Sequence, residues 1–288
     1  MIKILDIRKA YGSTIAVDGL SLSIGRGEVF GLLGPNGAGK TTTISMMIGL
    51  TRPDSGTIEL EGLGAPSHPA ARQVIGVAPQ SLALYESLTA HENIVFFAKL
   101  FGLRGTLLAS RTTAALEAVG LESRCNDRVR TFSGGMKRRL NLAAALVHDP
   151  TIVLLDEPTA GVDPQSRNNI IDVVLRLKQQ GRTVVYTTHY MEEAQRVCDR
   201  VAVMDRGKLL ALGTVDELID RHGGDSTVMY ERRGEHAVVE RIRTPDPLSE
   251  LARVLAMPDR GGVTGVRVDR PNLESVFLNL TGRTLRDE

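Results

Sequence analysis

The sequence is short of cysteine: Cys125 and Cys198 are the only two in 288 residues, and they stand in no C-x-x-C spacing. Two isolated thiols indicate neither a disulfide framework nor a zinc centre, and they suit a reducing compartment. An excess of charge is missing as well, with 35 Lys and Arg against 34 Asp and Glu and a formal net charge of +1. No overall field would draw such a chain to nucleic acid or to an anionic membrane. Long apolar runs are also absent, none approaching the about 18 residues needed to span a bilayer, and the opening Met1-Ile2-Lys3-Ile4-Leu5-Asp6 carries charge at once. The expectation is a cytoplasmic chain that does not itself cross a membrane. What is present is ample apolar content, 42% of 288 residues, enough for one large domain or one domain plus a small appendage.

Gly34-Pro35-Asn36-Gly37-Ala38-Gly39-Lys40-Thr41 fits the phosphate-loop pattern G-x-x-x-x-G-K-S/T without a substitution. Val29 to Leu33 reads as a short buried strand and Thr41 to Leu50 as a helix, so the loop falls at a strand-to-helix turn. Its three glycines let the backbone curl and aim N–H groups inward, and the helix adds its positive end at the same point. Lys40 would reach the β and γ phosphates of a nucleotide, and the Thr41 hydroxyl would ligate Mg²⁺. The loop alone leaves kinase, GTPase and ATPase open.

Residues 1 to 33 alternate apolar and polar, with turns at Tyr11-Gly12-Ser13 and Gly25-Arg26-Gly27, and read as a small antiparallel β layer. Tyr11, upstream of the loop, is placed to stack on an adenine ring. A β hairpin is expected from Gly56 to Gly64. A further strand is expected within Gln73 to Gln80, placing Gln80 at a strand end, where its amide would touch Mg²⁺ or position a water. Residues 89 to 147 lack strand patterning; helix-period runs such as Glu92 to Leu100 and Arg111 to Val119 mark a helical insertion.

That insertion ends in Thr131-Phe132-Ser133-Gly134-Gly135-Met136-Lys137-Arg138-Arg139, where Ser133 suits a helix cap and the glycines expose backbone N–H groups, a second anion-seeking helix end. Thr151 to Leu155 is an unbroken apolar strand terminating in Asp156 and Glu157, the pattern of a strand buried on both faces in a parallel sheet. Asp156 would serve Mg²⁺, and Glu157 would take a proton from the water that attacks a γ-phosphate. After Asp163 come a helix over Pro164 to Gln179 and a buried strand over Thr183 to Thr188, whose end carries His189, placed to hydrogen-bond the γ-phosphate.

In these motifs and their order, residues 2 to about 220 resemble the nucleotide-binding subunits of ABC (ATP-binding cassette) transporters. The resemblance implies nucleotide contacts from Tyr11 and from Gly34, Pro35, Asn36, Gly37, Ala38, Gly39, Lys40, Thr41 and Thr42 on one side of an ATP. On the other side it implies Ser133, Gly134, Gly135 and the D-loop Asp163. It assigns catalysis to Glu157, the switch His189 and the Q-loop Gln80, and Mg²⁺ to Thr41, Gln80 and Asp156. The signature departs from Leu-Ser-Gly-Gly-Gln at Phe132 and Met136, leaving the Ser-Gly-Gly core. The family implies a head-to-tail pair of copies, each ATP being enclosed by the phosphate loop of one and the signature of the other. It also implies a separately encoded transmembrane permease coupled near Gln80 and Tyr85, hence a position on the cytoplasmic face of the membrane. No nucleic-acid partner is expected.

The expected fold is α/β: a P-loop NTPase core with a mostly parallel sheet flanked by helices, an N-terminal antiparallel β layer, and a helical subdomain at about 81–148. A C-terminal α/β accessory domain is expected over 221–288. In that tail, strand-like pieces fall at Thr227 to Arg232, Ala237 to Arg243 and Gly265 to Asp269, with helices at Leu248 to Ala256 and after Pro271. The closing Asn272 to Arg283 is similar to the end of ATPases from exporters of the daunorubicin-resistance type, which export drugs, lipids or polymers. The expected function is therefore an exporter ATPase. An importer ATPase, or a soluble ABC ATPase acting on nucleic acid or ribosomes, stands as the alternative.

Overall fold

The computed structural model of the chain describes residues 1–232, 238–256 and 262–282. Contacts divide it into two compact units, Met1–Gly213 and Thr214–Asp287. In the first, β1 (Ile2–Tyr11) and β2 (Thr14–Ile24) form the expected antiparallel pair, their inward residues Ile2, Ile4, Ile7, Val17, Leu20 and Ile24 buried. The unbroken apolar runs then build a six-stranded sheet from β3 (Val29–Leu33), β5 (Ile75–Ala78), β6 (Ile152–Asp156), β7 (Thr183–Thr188), β8 (Arg200–Asp205) and β9 (Lys208–Thr214). Its order is β5-β6-β7-β3-β8-β9, with β5 through β8 parallel. Every residue of β3 and β7 is buried, as strands covered on both faces require.

Between β3 and β5 lie α1 (Lys40–Met47), β4 (Ser55–Leu60) and α2 (Pro69–Gln73). The hairpin expected over Gly56 to Gly64 does not form: β4 pairs along its length with β1, and only a turn bridged by Leu60 and Gly64 follows it. The residues up to Gln73 are helical, because His68 caps α2 through Ala70 N–H and Pro69 takes the first helical position. The helical insertion holds α3 (Ala90–Leu100), α4 (Gly105–Ala118) and α5 (Gly134–Leu146), and α6 (Pro164–Gln179) and α7 (Met191–Val197) cover the sheet beyond it. A capping box joining Thr89 and Glu92 starts α3 two residues before the expected run.

The break at Gly213 assigns α8 (Val215–His222) to the second unit, whereas the sequence reading kept residues to 220 with the cassette. The reason is packing: Val215 and Leu218 are buried with Leu273, Val276 and Phe277 of α10 (Leu273–Thr281), and Asn279 Nδ2 donates to His222 O at 2.8 Å. The same unit holds β10 (Ser226–Arg232), β11 (Val238–Thr244) and β12 (Val263–Asp269), which form an antiparallel sheet of order β11-β10-β12; α9 (Pro247–Leu255) follows β11 in the chain. Ala237 and Arg283, which bounded two of the expected segments, lie outside the described residues. No helix among the described residues is long and apolar enough to cross a membrane.

Candidate active site

Because β3, β6 and β7 run parallel, their carboxyl ends open at one edge of the sheet, and the chemistry gathers there. The loop after β3 is built tightly against its neighbours. Gly34 has φ +156° and Gly39 φ +101°; a Cβ at Gly34 would stand 2.2 Å from Met204 O, and one at Gly39 2.3 Å from Ala16 O. Gly37, at φ +78°, faces open space. The cradle ends on α1, whose cap residue Gly39 is left-handed and makes no side-chain cap bond, with no acidic residue in the first turn. Such an uncompensated helix start, at the mouth of a cradle that a side chain would fill, fits a bound phosphate group.

Lys40 is 5% exposed, and its ammonium donates to Gly34 O at 2.8 Å and Pro35 O at 3.0 Å. Its third partner is Glu157 Oε1 at 3.1 Å. A buried pair of this kind holds a charged network together without a large net stabilisation, since desolvation offsets much of the attraction. Glu157 Oε2 in turn receives Gln80 Nε2 at 3.4 Å. His189 Nδ1 lies 3.3 Å from the same oxygen, within ion-pair reach but outside hydrogen-bond alignment. Glu157 thus gathers the loop lysine, the strand-end glutamine and the strand-end histidine around one carboxylate.

Three residues that the sequence reading missed hold this arrangement. The β6–β7 register sets Asp156 beside Thr187, whose hydroxyl donates to Asp156 Oδ1 at 2.6 Å and accepts from Glu157 N–H at 2.9 Å. Arg138 of α5 donates to the Gln80 carbonyl; burial pulls its guanidinium below the ordinary value, and the nearby Glu157 and Asp156 carboxylates oppose that shift. Glu193 of α7, 3% exposed, accepts from Thr159, Tyr186 and Thr188. In the sequence the adjacent hydroxyls Thr187-Thr188 at the end of β7 mark a polar contact without naming its partners.

Other expected site residues stand elsewhere. Ser133 caps α5 by accepting from Met136 N–H at 3.2 Å. Gly135 packs so closely on α6 that a Cβ would lie 2.0 Å from Ser166 Oγ, whereas Gly134 faces open space. Asp163 caps α6 through Ser166 N–H at 2.9 Å, and the Ser166 hydroxyl and N–H hold its carboxyl below the usual range. Among the described residues no hydrogen bond or ion pair joins Ser133–Gly135 to the loop of Gly34–Thr41. Tyr11 is 52% exposed at the end of β1, with Lys9 Nζ 5.6 Å from its ring centroid. Asn36 and Thr41 are exposed, Thr42 is half-buried, and Pro35 and Ala38 are buried.

Fold and site together define a P-loop NTPase, and comparison with known proteins places it further. The family model described as ABC transporter matches residues 17–160. The linearmycin resistance ATP-binding protein of Bacillus subtilis is 44% identical, covering 100% of both chains. The Nod factor export ATP-binding protein I of Ralstonia nicotianae is 42% identical over 98% of this chain and 94% of its own. Among solved structures, an ATP-binding subunit of an ABC transporter superposes with a TM-score of 0.69 at 29% identity, covering 77% of this chain and 93% of that one. A dimeric ATP-binding cassette in a post-hydrolysis state with ADP and Pi gives 0.68 at 27% identity, covering 74% and 98%. The chain belongs to the ABC transporter family. Within it, this is an ATP-binding and ATP-hydrolysing subunit.

Proposed function

We propose that the chain powers a membrane exporter by binding and hydrolysing ATP between two of its own copies. The observation that carries the reading is the buried Lys40–Glu157 pair at 3.1 Å, joined by Gln80 and His189. It sets the phosphate loop and a base within reach of one another at a sheet edge. Export is supported by relatives named for linearmycin resistance and Nod factor export, which align over 98% or more of this chain.

In this reading the loop Gly34–Thr42 and Lys40 bind the phosphates, and Tyr11 stacks on the base. Thr41, Asp156 and Gln80 would hold Mg²⁺, whose chemistry is to neutralise charge on the phosphate oxygens. Glu157 takes the proton of the attacking water, and Gln80 and His189 orient that water and the γ-phosphate. Ser133, Gly134, Gly135 and Asp163 serve the ATP bound to the other copy, as their separation from the loop of their own chain supports. ATP closes the pair and hydrolysis reopens it.

The permease would dock on the helical insertion, beside Gln80. Tyr85, 48% exposed, is pinned there by Asn93, which accepts from its N–H at 2.8 Å and donates to its carbonyl at 3.0 Å, and it meets Phe96 edge-on at 4.9 Å. A cleft of about 140 Å³ includes Phe97, Phe101 and His148 in its lining. Exposed aromatics beside a cleft mark an interaction surface. The chain would thereby sit on the cytoplasmic face of the membrane. Tagged protein extracted gently from its native host should bring down a six-helix permease without its own cassette. Recovery of an importer permease with a solute-binding protein would reverse the direction, and ribosomes or DNA would contradict the transport reading.

A further inference from the structure

We infer that Arg167 and Tyr190, held by Glu193, position the switch histidine and tie it to the first turn of α6. The inference rests on the ATPase reading above and deepens it.

The anchor is Glu193. Its Oε2 accepts three hydroxyls, from Thr159 at 2.8 Å, Tyr186 at 2.9 Å and Thr188 at 3.1 Å. Those bonds fix a carboxylate that is 3% exposed and leave Oε1 facing Arg167 Nε at 3.3 Å, an ion pair without hydrogen-bond alignment. Arg167 stands in the first turn of α6, and its N–H donates to Asp163 O at 2.9 Å. From Glu193 the guanidinium reaches over the ring of Tyr190, 4.7 Å from the centroid. That ring lies against the His189 imidazole, with centroids 4.1 Å apart and planes tilted by 40°. Tyr190 is itself fixed through its N–H, which donates to Thr188 Oγ1 at 2.9 Å.

Stability alone is a poor account of this stack. Arg167 and His189 leave 34% and 29% of their side chains exposed and Tyr190 is half-buried, so the stack lies outside the core, while the carboxylate beneath it is desolvated at a cost. The expense is concentrated where it orients a guanidinium, and the guanidinium orients a ring. His189 needs that support, because its contact with Glu157 is not an aligned hydrogen bond that would fix the imidazole. The line α6, Arg167, Tyr190, His189, Glu157 therefore runs from the helix capped by Asp163 to the catalytic base. In the proposed pair, a displacement of the Asp163 loop by the other copy moves Arg167, and the imidazole follows.

The test measures single-turnover ATP hydrolysis, ATP affinity and melting temperature for Tyr190→Leu, Tyr190→Phe and Arg167→Met, each alone and in a His189→Ala background. Tyr190→Leu and Arg167→Met should slow turnover by about 10-fold or more, on a scale where a ~1 Å misplacement costs about 100-fold. Affinity should stay within about two-fold, the mark of a residue that acts on the reacting geometry rather than on binding. Tyr190→Phe keeps the ring and should hydrolyse at nearly the wild-type rate. With His189→Ala present, neither substitution should slow turnover further. Equal losses in both backgrounds, a Tyr190→Phe as slow as Tyr190→Leu, or wild-type turnover by His189→Ala would each overturn the inference. A wild-type chain that hydrolyses no ATP would strike the ATPase reading itself, and the inference with it.

Discussion

Glu157 holds a left-handed backbone, φ +46°, at a residue with a Cβ. That conformation costs about 1–2 kcal/mol, and it occurs where the strand must end and its carboxylate must meet Lys40, Gln80 and His189 together. The signature glycines divide two other tasks. Gly135→Ala would put a Cβ 2.0 Å from Ser166 Oγ and should destabilise the fold by about 1–3 kcal/mol, read as a lower melting temperature. Gly134→Ala meets open space and should leave melting unchanged or slightly raised, while weakening ATP-driven pairing if that backbone serves the other copy's nucleotide. A Gly134→Ala as unstable as Gly135→Ala would contradict this division. The residues that converge on Glu157 were legible in the sequence, because each sits at the end of a recognisable strand or loop. Thr187, Arg138 and Glu193 were not. What a buried hydroxyl, guanidinium or carboxylate touches depends on register and helix packing, here the pairing of Asp156 with Thr187.

Legibility among the elements followed how local their causes are. The helix Pro164–Gln179 and the strand Thr183–Thr188 were read to the residue, since an Asp cap with Pro at the first position and a short β-prone run of Val, Tyr and Thr are local signals. The supposed hairpin at Gly56–Gly64 failed because strand alternation does not name its partner, and β4 found β1 instead. His148, beyond the end of α5, belongs at this scale as well. Its ring stacks on Phe101 with centroids 3.5 Å apart, Nε2 meets Ile75 O at 3.0 Å, and Nδ1 is buried without a partner. Burial holds its pKa below the ordinary imidazole value of 6.5. The unfolded chain therefore binds the proton more readily, so the stability of the neutral ring is complete above that value and declines as the pH falls below it. Melting temperature should drop between about pH 7.5 and pH 5.5, and His148→Gln should start lower and show a flatter dependence. An unchanged slope in the variant would assign the dependence to other groups.

At the scale of the whole molecule, the chain divides into a unit ending at Gly213, which holds every expected catalytic and nucleotide-binding residue, and a smaller α/β unit. Two anion-seeking helix ends in the first unit, at Lys40 and at Ser133–Gly134, share no hydrogen bond or ion pair among the described residues, which is the arrangement a head-to-tail pair would use. Ser133→Arg should accordingly block ATP-driven pairing while leaving the ATP affinity of the single copy largely intact; a loss of that affinity, measured by titration, would place Ser133 in the wrong site. The central claim is that Glu157 is the base of an ATPase whose closed state is a pair of copies. Its most direct test compares wild type with Glu157→Gln in Mg²⁺ and ATP, following turnover and the mass of the species formed. The account predicts retained ATP binding, turnover lower by about 100-fold or more, and a stable two-copy species that needs ATP. Hydrolysis at the wild-type rate by Glu157→Gln, or a mass indifferent to ATP, would contradict it.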